Sequence, residues 1–255
     1  MHKQKHRGIH PKDEILFGRE LRDKLGQAVL DLYFLYSRNY SESAALRIVG
    51  DHFLLQKRQR FALQRMVSCK DEIQILNNSE VDDEFIKGRH LAIDGFNLLI
   101  FAEVLLSDGF VFQCLDETYR DIASVHGSYH QIVETGKAIH LLGQLLETLQ
   151  PKSISWFLDQ PVSNSGKLGK FMREISDNQN WKWKVEIVPN PDQAMLELKQ
   201  AVLISNDRIV LSRSNKWFNL SKLLVKRLGK NNTHLLELRD LGVTKKSLTS
   251  INALS

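Results

Sequence analysis

Four short apolar runs constrain this chain most. They are HLAIDG (90–95), SISWFLD (153–159), KVEIVP (184–189) and AVLISND (201–207). Helical patterns separate them, most clearly Thr135 to Leu149 and Lys167 to Ile175. Strands that alternate with helices imply βαβ crossovers and a mainly parallel sheet, so the expected fold class is α/β. In such a sheet all strand C-termini share one edge, and ligands bind there. Three of the four runs end in a carboxylate: Asp94, Asp159 and Asp207.

Residues 13–75 show a different pattern. Leu21, Leu25, Val29, Leu32 and Leu35 recur at spacings of three and four, which predicts an amphipathic helix. A second helix is announced by Ser41 as N-cap, and a third runs from about Gln56 to Ser68. Residues 77–83, NNSEVDD, read as a polar linker. The expected organisation is a helical domain over 13–76, an α/β domain over 84–230, and a C-terminal strand and tail over 231–255. That strand falls in HLLELRDL, and the last twenty residues read as loosely ordered.

Composition narrows the class of protein. Hydrophobic residues make up 42% and charged residues 25%, which supports a sizeable globular core. Cys69 and Cys114 are the only cysteines, so neither a disulfide scaffold nor a thiolate zinc site is expected. The start, MHKQKHRGIHPKDE, has no apolar core and does not read as a secretory signal. The longest apolar stretch, Leu91 to Leu106, is interrupted by Asp94, Asn97 and Glu103, so no membrane partner is expected. A cytoplasmic location fits, and oligomeric state is left open. The formal net charge of +5 is compatible with a polyanionic partner and equally with an ordinary basic protein.

A single aspartate after a strand is more often a turn or cap residue than a ligand. Three at equivalent topological positions favour a site. Carboxylates brought together raise each other's pKa, a conflict that a divalent cation such as Mg²⁺ or Mn²⁺ removes. Gly95 beside Asp94 allows close backbone approach, and Asn97 is placed near Asp94 by the first turn of the following helix. The loop Asp159 to Lys167, with Asn164 and Ser165, reads either as a phosphate nest or as a capped turn. It lacks the Walker A pattern. Arg208 can pair with phosphate or with Asp207. Asp192 and Glu117 are further candidate metal ligands, and Asp116, Asp121, His126 and His130 are weaker candidates. Lys57, Arg58 and Arg60 open the second helix of a helix-turn-helix-like pair. They read as phosphate contacts or as the solvated basic face of a small bundle, which leaves a protein partner possible there.

DGFNLL resembles the first-strand motif of PIN and NYN nucleases, with FLD and SND similar to their later acidic positions. The stretches SAALRIVGDHFLLQKRQR, IDGFNLLI, HGSYH, FLDQPVSNSG and ISNDRIVL resemble a family in which a small helical domain precedes a PIN-like domain. The resemblance implies that Asp94, Asp159 and Asp207 are metal ligands and catalytic residues, with Asn97 and Asn164 adjacent. It implies a metal-dependent ribonuclease acting on RNA or other single-stranded nucleic acid. PIN nucleases also offer an acid on a middle helix, for which Glu134 and Glu117 are the alternatives. A non-catalytic nucleic-acid or nucleotide binding module is the competing expectation; a fourth acid close to the other three favours catalysis.

Overall fold

The computed structural model describes residues 6–7, 10–123, 127–229 and 232–253. Five helices come first: α1 (Asp13–Leu16), α2 (Arg22–Ser37), α3 (Glu42–His52), α4 (Lys57–Met66) and α5 (Lys70–Ser79). Strand β1 (Glu80–Val81), α6 (Asp83–Ile86), β2 (His90–Asp94) and α7 (Gly95–Leu106) follow. An insertion carries β3 (Val111–Gln113) and β4 (Tyr119–Asp121). Then come α8 (Thr135–Thr148), β5 (Ser153–Asp159), α9 (Ser165–Asn178), β6 (Trp183–Val188) and α10 (Pro191–Glu197). The chain ends with β7 (Val202–Ile204), α11 (Arg208–Ser212), β8 (Trp217–Phe218), α12 (Leu220–Leu228), β9 (Leu235–Leu236) and α13 (Lys245–Asn252).

The α/β expectation holds. Six parallel strands form one sheet in the order β1-β8-β7-β2-β5-β6. Strand β2 is central, and Leu91, Ala92 and Ile93 have no exposed surface, as a strand covered on both faces requires. Its alternating side chains serve two cores. Leu91 and Ile93 pack with α7, α8, α9 and α12. Ala92 packs with Phe157 and Leu203 against Met195 of α10, Val210 and Leu211 of α11, and Leu76 of α5. A helix of the N-terminal region thus covers part of the sheet, and the Trp217 indole donates to the Leu76 carbonyl at 2.9 Å.

The segment expected as a linker is not one. Asn77 to Ser79 complete α5, Glu80 and Val81 pair with Trp217 and Phe218, and the Asp82 side chain caps α6 by accepting from the Phe85 amide. A two-residue edge strand among polar residues carries no period to read. The expected C-terminal strand forms as β9, whereas the segment read as a loose tail carries α13. Strand β9 pairs in parallel with β3, which pairs antiparallel with β4. This small sheet lies under the N-terminal helices. Phe17 meets Phe112 at 4.9 Å between ring centroids, and Leu25, Val29 and Leu32 share a core with Leu236, Leu241 and Val243. The Tyr33 hydroxyl donates to Asn252 at 2.7 Å. The first and last segments therefore close one hydrophobic cluster.

Gly26 marks the tightest point of that closure. A Cβ there would lie 1.8 Å from the Leu241 carbonyl oxygen. We predict that Gly26→Ala lowers unfolding free energy by about 1–3 kcal/mol, the cost of overpacking. A loosely attached tail would instead yield, and the variant would gain up to ~1 kcal/mol of helix propensity. Urea denaturation of both proteins reads the sign.

Candidate active site at the switch point of the sheet

From β2 the chain builds outward to β5 and β6, then returns to the other side of β2 to lay down β7 and β8. The point where the order reverses leaves a crevice at the C-terminal ends of β2 and β7, where open α/β sheets bind ligands. Asp94 and Asp207 flank it. Gly95 lets the turn into α7 come close: a Cβ there would lie 2.9 Å from the Phe157 carbonyl oxygen.

Both acids cap helices. Asp94 Oδ1 accepts from the Asn97 amide at 3.1 Å, and Oδ2 accepts from the Ser205 hydroxyl at 3.2 Å. Asp207 Oδ1 accepts from the Ile209 amide at 2.8 Å. The Asn97 side-chain oxygen accepts from the Asn206 amide at 3.1 Å, which latches the loop after β7 onto the first turn of α7. Behind that loop the buried Arg120 donates to the Asn206 carbonyl, the Arg65 carbonyl and the Asp116 carboxylate, at 2.6, 2.8 and 2.6 Å.

Electrostatics link four carboxylates. Asp94 is 8% exposed. Burial pushes its carboxyl up to about 7, helped by repulsion from Asp192 and Asp207 and opposed by the Asn97 and Ser205 hydrogen bonds. Asp192, in the first turn of α10, is raised by burial and by repulsion from Asp207 and Asp159, with Arg213 opposing. Asp159 is raised by burial. Asp192 is therefore the fourth acid beside the three strand-end aspartates, and its helix, capped by Asn190 with Pro191 in its first turn, carries it there. Among the described residues no three His, Cys, Asp or Glu side chains close into a group that could hold a metal ion.

Other candidates fall elsewhere. Glu117 pairs with Lys222 at 2.6 Å, away from the cluster. Asp116 is buried against Arg120 and Thr118, and Asp121 accepts from the Ala123 amide. Glu134 pairs with His6. The His130 carbonyl accepts from Arg7, whose guanidinium enters the buried pair with Glu103. His126 lies outside the described residues. Asn164 adopts a left-handed φ of 70° and donates to the Tyr129 carbonyl, and the Ser165 amide donates to the Val162 carbonyl, so these two groups serve the turn. Lys167 is exposed in the first turn of α9. Arg208 is held by Glu42 and Glu72 and is not aimed at Asp207. In α4, Arg58 is held by Asp13, Arg60 donates to Asp51 and the Leu55 carbonyl, and Lys57 stays exposed. Arg120 was missed by the sequence reading. Arg120 sits in a polar insertion with no apolar run to mark its strand.

Residues 83–223 match the family model described as Domain of unknown function (DUF5616). The chain belongs to that family. The DUF5616 match runs from α6 into α12 and contains all four acids. Residues 24–78 match a second model, Protein of unknown function (DUF434), which ends just before β1. The Uncharacterized protein MJ0935 of Methanocaldococcus jannaschii is 33% identical over 187 residues, 73% of this chain and 89% of that protein. No solved structure matches.

The raised Asp94 carboxyl has a thermodynamic consequence. Its folded pKa, about 7, exceeds the ordinary 3.8, so the native state holds the extra proton between those values. Stability is then fully present below pH ~4 and is lost as pH rises through about 7, by up to roughly 4 kcal/mol for this group. Asp94→Asn cannot ionise. In EDTA its melting temperature should rise relative to the wild type from pH 5 to pH 8. A constant difference across that range would mean that Asp94 is not strained by its charge.

Proposed function

We propose that this protein is a divalent-metal-dependent ribonuclease that hydrolyses phosphodiester bonds at the C-terminal edge of the sheet. The carrying observation is that Asp94, Asp159 and Asp207 lie at or just after the ends of the adjacent strands β2, β5 and β7, with Asp192 in the helix after β6 near enough to add repulsion. The likeness of DGFNLL, FLD and SND to PIN nuclease motifs supports the same reading.

The donor set suits Mg²⁺ or Mn²⁺. It is all oxygen, strongly anionic, and destabilised by its own charge unless a cation or proton is present. Mg²⁺ keeps several waters and needs only one or two protein carboxylates beside substrate phosphate, so a tight three-acid cage is not required. Asp94 and Asp207 would hold the ion, with Asp192 and Asp159 adding charge. When bound, such an ion activates water and offsets charge on the phosphate. The chain's own residues do the positioning. Ser205 orients Asp94, and Asn97 fixes the loop that carries Asp207. The Arg120 bond to the Asn206 carbonyl holds the same loop from behind. Arg213, whose charge acts on Asp192, would supply a cation for a phosphate oxygen. No helix among the described residues is long and apolar enough to cross a membrane.

The absence of a closed three-acid group favours one second reading, a module that binds single-stranded nucleic acid without cutting it. Incubation of the full chain with mixed RNA under Mn²⁺, with EDTA as control, separates the two. Asp94→Asn should lose at least tenfold in cleavage, since even outer residues of metal sites cost ~10–100-fold, while RNA binding is kept. Cleavage by Asp94→Asn at the wild-type rate would sink the assignment. RNA binding without metal-dependent cleavage would establish the second reading.

A further inference from the structure

Three arginines line one cavity of about 200 Å³ next to Asp207: Arg65, Arg120 and Arg208. Two are neutralised internally. Arg208 is held by Glu42 and Glu72, and Arg120 by Asp116 and two carbonyls. Arg65 differs. Its backbone carbonyl is fixed by Arg120, and its charge favours the ionised form of the buried Asp121, but its guanidinium makes no hydrogen bond or close ion pair among the described residues. Guanidinium donors are normally satisfied, so an arginine that lines a cavity without a hydrogen bond has donors left for an acceptor from outside.

The aromatic ring of Phe61 lines the same cavity, with the Arg65 guanidinium 5.8 Å from its centroid. Ile209, 52% exposed, supplies a second apolar wall. Phe61 also lines a neighbouring cavity of about 430 Å³ that continues to Lys57, Lys12 and His10, with no carboxylate in its lining. The surface thus runs from Asp207, past the Arg65 guanidinium and an aromatic face, to exposed lysines. A basic groove with interleaved aromatics is what single strands bind, through phosphate contacts and base stacking. Arginine suits phosphate because its fork donates two parallel hydrogen bonds.

We propose that this is the substrate track: single-stranded RNA leaves the acid cluster across α4, with one backbone phosphate on Arg65 and one base stacked on Phe61. The proposal deepens the ribonuclease reading and rests on it for the strand that is cut. It also gives the helical region a function distinct from that of a separate lobe. The functional face of α4 is then Phe61 and Arg65, one turn apart, with Lys57 a turn earlier. Arg58 and Arg60 of the basic run are held by the fold.

The test is equilibrium binding of a short, unstructured, labelled RNA to the full chain in EDTA, across a salt series, beside cleavage of the same RNA under Mn²⁺. Phe61→Leu, which keeps apolar volume, should weaken binding by about 5–100-fold, the loss of one base stack, with an unchanged salt slope. Arg65→Gln should weaken binding and flatten the log–log slope by about 0.7, and Arg65→Lys should restore the slope. Melting curves establish that each variant is folded; should Arg65→Gln not be, Phe61→Leu and Arg65→Lys still decide. Wild-type affinity and slope in the variants, or no RNA binding by the wild type, would overturn the track even if RNA is cut. Binding that depends on Phe61 and Arg65, with no cleavage, would retain the track and retire catalysis.

Discussion

Asp94 carries two demands that conflict. As the last residue of the central strand it must cap α7, and its hydrogen bond to Ser205 holds β7 against β2. Both contacts favour a charged acceptor. Burial, Asp192 and Asp207 all disfavour that charge. The fold does not relieve the conflict with an internal cation: Arg120, which reaches this region, is turned to Asp116 and the Asn206 carbonyl. A carboxylate held in this way is stable only as an acid or beside a cation from solution. The geometry of the switch point, with its two strand ends and the turn that Gly95 permits, follows from what Asp94 joins.

The sheet was legible in the sequence because its strands are long apolar runs with no competing period. HLAID and SISWFLD are buried on both faces, Ser155 and Asp94 included, which is the mark of a strand covered on both sides. Three of the short strands were not legible. Glu80–Val81, Val111–Gln113 and Tyr119–Asp121 form through pairing with partners more than a hundred residues away or within a polar insertion. No local pattern encodes such pairing. For the same reason the division between helical region and α/β region is blurred in space. Helix α5 covers one face of the sheet, and the C-terminal segment completes the core of the helices.

The acidic half of the site was legible for a related reason. Position after a strand places a side chain at a known edge whatever the loops do, which groups Asp94, Asp159 and Asp207 at one edge. Asp192 stood out less because it follows β6 by four residues, through a turn and a helix start whose direction depends on Pro191 and Asn190. Glu117 was misplaced because a long insertion has no fixed relation to the sheet edge. It lies instead over α12, paired with Lys222.

Charge was the least legible feature, and the reason is pairing. Each of Arg58, Arg60 and Arg208 looks available in a linear sequence, yet Asp13, Asp51, Glu42 and Glu72 reach them across the tertiary structure. Those acids lie nine or more residues from the arginines they engage, so neither composition nor local spacing reveals the match. The net charge of +5 therefore says little about where a polyanion would lie. What matters is the charge left after internal hydrogen bonding, and along the groove beside Asp207 that is chiefly Arg65, near the buried Asp121 but not bonded to it, with Lys57 and Lys12 further out. A cation left over next to a cluster of acids has no reason to stay apart from them unless the fold holds it. Arg120 does so by gripping the Arg65 carbonyl at 2.8 Å, on the same guanidinium that holds the Asn206 carbonyl. One buried side chain thus sets the spacing between the acid-bearing loop and the helix that bears Arg65.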